Sequence, residues 1–346
     1  MTILTGRIWL VILLINITIA KAQKNYKLDT LSSGTSALII GLDALDENNL
    51  WASGTNATIL FSSNAGNTWE TFHFEQADSL QFRAIKAISS NEALVMSAGE
   101  GPASQIFKFS KISGWKSLYI MPHSEGFLDA IEILPNGLGI AYGDAIDEQP
   151  FILMSDENLE NWGRVETSVT ASKGEGGFAS SGSNITINKK GDIWIGTGAG
   201  GSANVLYSKN KGKDWQKFIS PMIKGEAAGI TSIRQGDDLL FITGGDLAKS
   251  DVYTDNLFIS SDNGKSWLPL NQPITKGAFY GSAISNIDNT NIYLVCGPNG
   301  ADFLASEKGK WIQFSQLNLW TAEFINKSTA ILAGREGKMI KIEFLD

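Results

Sequence analysis

An all-β, seven-bladed β-propeller, its last blade closed by strands from both chain ends, is the fold class this sequence predicts. Three observations carry the prediction. Tryptophan-ended segments recur at Trp69, Trp115, Trp162, Trp215, Trp267 and Trp311, with spacings of 46, 47, 53, 52 and 44 residues, a near-constant period of the length a four-stranded blade needs. Between them lie short apolar runs that end in glycine, such as Ile193-Trp-Ile-Gly196, the pattern of short strands joined by tight turns. The last segment, 318–346, holds only three such runs, and the unclaimed run Tyr26 to Leu31 near the N-terminus supplies a fourth. Pairing the two removes the open edges a linear array of sheets would leave.

Composition agrees. Hydrophobic residues make up 43 % of the 346 and charged residues 18 %, enough apolar material for a large core and too little charge for a disordered chain. Residues 1–22 read as a signal peptide: Arg7 is the positive end, Trp9 to Ile19 a short apolar run, and Ala20-Lys21-Ala22 the cleavage site. That run is well short of the ~20 residues a spanning helix needs. The expectation is an exported chain, periplasmic, surface-held or secreted, with residues 23–346 as the propeller and no membrane span. Cleavage removes Arg7 and Lys21 and no acid, taking the formal charge from −8 to −10. Such a balance argues against nucleic acid as a partner. Cys296 is the single cysteine, so packing rather than an internal disulfide must hold the fold.

The repeat itself is best seen in three segments, Ser62 to Trp69, Ser208 to Trp215 and Ser260 to Trp267. Each fits S-x-[DN]-x-G-x-[TSD]-W through Ser62, Asn64, Gly66 and Trp69; Ser208, Asn210, Gly212 and Trp215; and Ser260, Asp262, Gly264 and Trp267. An Asp or Asn side chain can accept hydrogen bonds from the backbone N–H groups that follow it. The Gly supplies a positive φ, and the Trp covers the turn. These residues are read as structural. Weaker copies end at Trp115, Trp162 and Trp311.

The three segments resemble the Asp-box of sialidases and other BNR-repeat proteins. With Phe82-Arg-Ala-Ile85, Phe127-Leu-Asp-Ala130, Gly143-Asp-Ala-Ile146 and Gly174-Glu-Gly-Gly-Phe-Ala-Ser-Ser-Gly182, the chain is similar to the photosystem II assembly/stability factor family and its exported bacterial relatives, often labelled oxidoreductases. Blades are then expected at about 32–75, 80–122, 126–168, 176–221, 228–271 and 278–315, with 318–346 and the N-terminal run making the seventh. The resemblance implies that loops leading into each first strand, and loops joining second to third strands, gather at one mouth of the channel. It thereby places Arg83, Asp129, Asp144, Glu175, Phe178, Tyr280 and Arg335 there as ligand-binding candidates.

Other chemistries find little support. Gly196-Thr-Gly-Ala-Gly-Gly201 matches a dinucleotide fingerprint, but a strand-like run, Asn204 to Ser208, follows where a helix is required. His73 and His123 lie in different blades, no cysteine cluster exists and no contiguous calcium-loop spacing is present, so neither a cofactor nor a metal is assigned. A sialidase arginine triad fails: outside the signal peptide the arginines are Arg83, Arg164, Arg234 and Arg335, and only Arg83 and Arg335 are expected near the mouth. The expected function is a binding or assembly scaffold, recruiting a protein, peptide or glycan at that mouth. The alternative is a glycoside hydrolase using two of Asp129, Asp144, Glu175 and Glu226, with Tyr280 nearby.

Overall fold

The computed structural model describes residues 24–74, 79–249, 251–252 and 255–345. The expected signal peptide, residues 1–22, lies outside them. Among the described residues no helix is long and apolar enough to cross a membrane.

Seven four-stranded antiparallel sheets form the ring, six of them built from strands consecutive in the sequence. The seventh joins Leu319–Phe324, Thr329–Gly334 and Lys338–Phe344 to the N-terminal strand Tyr26–Ser32. The register runs without a break from Tyr26 opposite Phe344 to Ser32 opposite Lys338. The first strands of successive blades contact one another around the channel: Ile39–Ala44, Phe82–Ala87, Leu128–Ile133, Ile185–Ile187, Ala228–Gln235, Gly281–Ile287 and Leu319–Phe324.

The core is a ring of seven apolar clusters, one at each junction between neighbouring sheets. Strand alternation produces it. In blade 1, Trp51, Ile59 and Phe61 pack toward blade 2, while Leu50, Ala52 and Leu60 pack toward blade 7. Second and third strands are therefore buried on both faces. Outer strands such as Glu70–His73 stay half in water.

The tryptophan-ended turns have a common hydrogen-bond plan. Ser62, Ser208 and Ser260 hydroxyls each accept the N–H four residues on, from Gly66, Gly212 and Gly264, at 2.9 Å. Asn64, Asn210 and Asp262 accept from the N–H groups of Thr68, Asp214 and Ser266, also at 2.9 Å. Backbone φ is positive at each glycine and at the residue before it. The weaker copy ending at Trp162 keeps the shape without glycine: Leu159 takes φ 63°, and its carbonyl accepts Trp162 Nε1–H at 3.0 Å, as the Gly212 carbonyl accepts Trp215.

One feature of the first strands was not foreseen. In blades 1, 2, 3, 5 and 7 the pairing with the second strand skips one residue: Ile40, Arg83, Asp129, Thr231 and Trp320. A bulge adds one residue to one strand of the pair, so alternation beyond it shifts by one. Apolar residues three apart thus reach the same cluster, as Phe82 and Ile85 do and as Leu128 and Ile131 do.

Candidate functional site

Three of the five bulge residues, Arg83, Asp129 and Trp320, line a cavity of about 350 Å³ at one mouth of the ring. Phe127, Asp144, Phe178, Leu247 and Tyr280 complete most of its wall. A bulge re-aims a side chain out of the regular ladder, which is how first strands of different blades come to serve one space. Tyr280, just ahead of the blade 6 first strand, meets Trp320 edge to face at a centroid distance of 4.7 Å.

The glycine-rich segment ahead of blade 4 crosses this mouth and is tied down from three blades. Gly177 N–H points at both Asp129 Oδ2, at 3.1 Å, and Asp144 Oδ1, at 3.3 Å, in blade 3. The Ala179 carbonyl accepts Arg83 Nη1–H from blade 2 at 3.1 Å. Ser180 Oγ donates to the Tyr280 carbonyl ahead of blade 6 at 3.2 Å. Glycine is required for the closeness: a Cβ on Gly176 would overlap Asp144 Oδ1, and one on Gly177 would lie 2.8 Å from both Asp129 Cβ and Asn184 Nδ2. Replacing Gly176 by Ala is expected to destabilise the protein by about 1–3 kcal/mol. Urea unfolding at an unchanged m-value measures it; a midpoint equal to wild type would mean that Asp144 has room to move.

The two carboxyl groups lie side by side, the single Gly177 N–H pointing at an oxygen of each. Burial, with the neighbouring Asp144 charge adding to it, holds the Asp129 carboxyl well above the usual carboxylate range. Burial pushes Asp144 up to about 6, against the Gly177 N–H, which favours its ionised form. Taking two neighbouring carboxyl groups out of water makes the pair hold a proton to higher pH than free aspartates do. Arg83 faces the same space; burial lowers its pKa and the Asp129 charge works the other way. Its Nε–H is buried without a partner. Asn184 is completely buried, with neither its amide oxygen nor its amide nitrogen hydrogen-bonded.

The structure thus brings Arg83, Asp129, Asp144, Phe178 and Tyr280 to one cavity, and three other expected site residues fall elsewhere. Glu175 is turned inward: its carboxylate accepts from Thr197 Oγ1 at 2.7 Å, Asn204 Nδ2 at 2.7 Å and Ser172 N–H at 2.8 Å. Flanking glycines suggested a loop site, but the nearest unpaired donors lay beneath the loop. Glu226 is exposed and outside the cavity wall. Arg335 is exposed beside Glu336 and also outside it. Ser180, Ala199 and Leu247 were not foreseen as wall residues. Phe82, next to Arg83, and Phe279, next to Tyr280, are core.

Beneath the mouth the first strands carry a second set of charges. Lys86 of blade 2 bonds Asp43 of blade 1 and, at 3.0 Å, Glu132 of blade 3. Arg234 of blade 5 reaches Glu323 of blade 7 at 3.2 Å and the carbonyls of Ser282 and Ala322. Hydroxyls of Ser183, Ser232 and Ser282 link blades 4, 5 and 6. A single sequence pattern underlies both levels. In Ile39-Ile-Gly-Leu-Asp43, Phe82-Arg-Ala-Ile-Lys86, Leu128-Asp-Ala-Ile-Glu132, Ile230-Thr-Ser-Ile-Arg234 and Leu319-Trp-Thr-Ala-Glu323, an apolar residue is followed by the bulge residue, a small residue, a second apolar residue and a charge. Aligning the first strands, rather than the tryptophan turns, exposes Trp320 beside Arg83 and Asp129.

The class these features define is a seven-bladed propeller with a mixed-charge, aromatic-walled mouth. No protein-family model matches the chain. The fold is similar to YCF48 bound to a D1 peptide, with a TM-score of 0.66 at 15 % identity over 92 % of this chain and 97 % of that one. It is also similar to YCF48 from Cyanidioschyzon merolae, with a TM-score of 0.63 at 13 % identity over 91 % and 98 %. The WD40 propeller domain of Doa1 follows with a TM-score of 0.60 at 10 % identity over 93 % and 97 %. Identities this low establish the shared fold. In sequence, 87 residues are 30 % identical to the oligoxyloglucan-reducing end-specific xyloglucanase of Emericella nidulans; they cover 25 % of this chain and 10 % of that enzyme.

Proposed function

We propose that this chain is an exported scaffold that captures a protein or peptide in the mouth of its ring. The observation that carries the reading is the cavity wall. Four aromatic side chains, Phe127, Phe178, Tyr280 and Trp320, surround a guanidinium and a carboxyl pair. Aromatic and arginine anchors in a desolvated pocket are what binding hot spots use. The likeness to a YCF48 solved with a D1 peptide lends support to a peptide as occupant. The N-terminal sequence supports export.

The rival reading, a glycoside hydrolase, draws on the xyloglucanase match. The carboxyl placement weighs against it. Two catalytic carboxyl groups flanking a glycosidic bond stand about 5–9.5 Å apart, whereas Asp129 and Asp144 crowd together around the one Gly177 N–H that points at an oxygen of each. Glu175 is committed to Thr197 and Asn204, and Glu226 lies outside the cavity.

The test pairs capture of partners from the exported fraction with a panel of oligoxyloglucans and simple glycosides. Trp320→Ala is expected to weaken the captured complex by roughly 30-fold or more, the range of a hot-spot aromatic, while the melting temperature stays near wild type. Turnover of any glycoside, lost on Asp144→Asn, would replace the scaffold reading with the hydrolase one.

A further inference from the structure

The geometry points to a primary ammonium, the side chain of a lysine on an extended peptide, as the group this mouth takes, held by Asp144 with Asp129 behind it and aromatic rings around it. The inference rests on the scaffold reading and names its ligand chemistry.

Several independent features converge on a cation. Asp144 and Asp129 are the acidic side chains of the cavity wall, and of the two Asp129 is the deeper, almost wholly buried. Asp144, half-buried, is the one that meets the open side, with Asp129 beneath it. Aromatic rings attract an ammonium through their negative faces, and Tyr280 and Trp320 stand as a fixed edge-to-face pair in the same wall. The chain's formal charge of −8 draws a basic segment toward it from a distance. Among the described residues Arg83 forms no ion pair with Asp144; its Nη1–H donates to the Ala179 carbonyl instead. Its Nε–H is buried without a partner, and so is the amide of Asn184, which lies against Gly177.

The pair also makes the affinity depend on pH. Around Asp144 stand Asp129 on the paired strand, Tyr142 on its own strand, Glu175 on the loop, and Arg83 and Tyr280 across the cavity. Below about pH 6 Asp144 is protonated, and Arg83 is the remaining charge in the cavity. Above it Asp144 is an anion. A lysine ammonium stays charged through this whole range, so binding must strengthen as pH rises.

The experiment is calorimetric titration of the full chain with acetyl-Gly-Lys-Gly-amide, and with the same peptide carrying norleucine or Glu in place of Lys, at pH 5.0 and 7.5. The Lys peptide is expected to bind at pH 7.5 and about tenfold more weakly at pH 5.0, the effect of one ion pair worth a decade in affinity. Asp144→Asn should lose a similar factor at pH 7.5 and flatten the dependence. The wild-type pH comparison stands even if that variant folds poorly. Norleucine or Glu peptides binding as tightly as Lys, a pH-independent affinity, or no Lys binding at either pH would each overturn the inference. If Trp320→Ala still abolishes capture of a partner in that case, the scaffold survives and only the ammonium falls; if neither assay responds, both fall.

Discussion

Deleting residues through Ser32 is expected to abolish the stable monomer. The strand Tyr26–Ser32 pairs along its whole length with Lys338–Phe344, so its loss strips a ladder of hydrogen bonds worth about 1 kcal/mol each. It also removes the Tyr26 ring from the edge of Phe303, 5.1 Å away, and Leu31 from the cluster between blades 7 and 1. The strand left behind then presents unpaired N–H and C=O groups on an open edge, which templates association with other chains. Size-exclusion chromatography should find aggregate or oligomer, and thermal unfolding should lose its single sharp transition. A synthetic peptide of residues 24–34 added during refolding should restore the monomer. A truncated protein that stays monomeric and melts like the full chain would mean that the ring is held by its inter-blade clusters alone.

Replacing Lys86 by Met carries the second large effect. Lys86 sits between Asp43 and Glu132 with little solvent access to any of the three. Burial works to lower its pKa, yet the charges of Asp43, Glu132 and Glu323 overcome this and raise it. Without it, Asp43 keeps the Ala87 N–H and Glu132 the N–H of Ile133, and two carboxylates repel each other in the channel. Removing one partner of a buried ion pair costs about 3–5 kcal/mol, a fall in melting temperature on the order of 10 °C for a chain of this length. The sign of the pH dependence is a further check. Burial already raises the Glu132 pKa, and Lys86 opposes it; with Lys86 gone the folded-state pKa rises further above its unfolded value near 4.3. The folded variant then binds protons more readily than the unfolded one, so its deficit should shrink as pH falls from 7 toward 5. Substituting Asp43→Asn and Glu132→Gln as well should recover most of the loss, because the cost lies in uncompensated charge. An unchanged melting temperature for the single variant would show that water in the channel already screens the cluster.

The ring, its blade boundaries and its closure were legible because they follow from short-range chemistry repeated along the chain. A serine hydroxyl, an Asn or Asp side chain and a positive-φ glycine make the same turn wherever they recur, and the tryptophan after them fixes the period. The terminal strands were legible by subtraction, since a three-stranded final sheet needs a partner. Arg83, Asp129, Asp144, Phe178 and Tyr280 could be placed at one mouth from loop positions within that frame.

The tertiary structure decided which neighbours each polar group found. Glu175 and Asp144 both sit beside glycine in the sequence, yet Glu175 turns under the loop to unpaired donors on Thr197 and Asn204, while Asp144 faces the cavity. Trp320 opens a first strand, which places it near the mouth in sequence, but the extra residue in the pairing of Leu319–Phe324 with Thr329–Gly334 is what brings it into the cavity wall. Period and turn are properties of neighbours along the chain, so the sequence by itself specified the propeller. A bulge and a buried carboxylate's partner are properties of two segments meeting, and that meeting is set by the packing of whole blades, where one residue of register decides whether a side chain joins the core or the site.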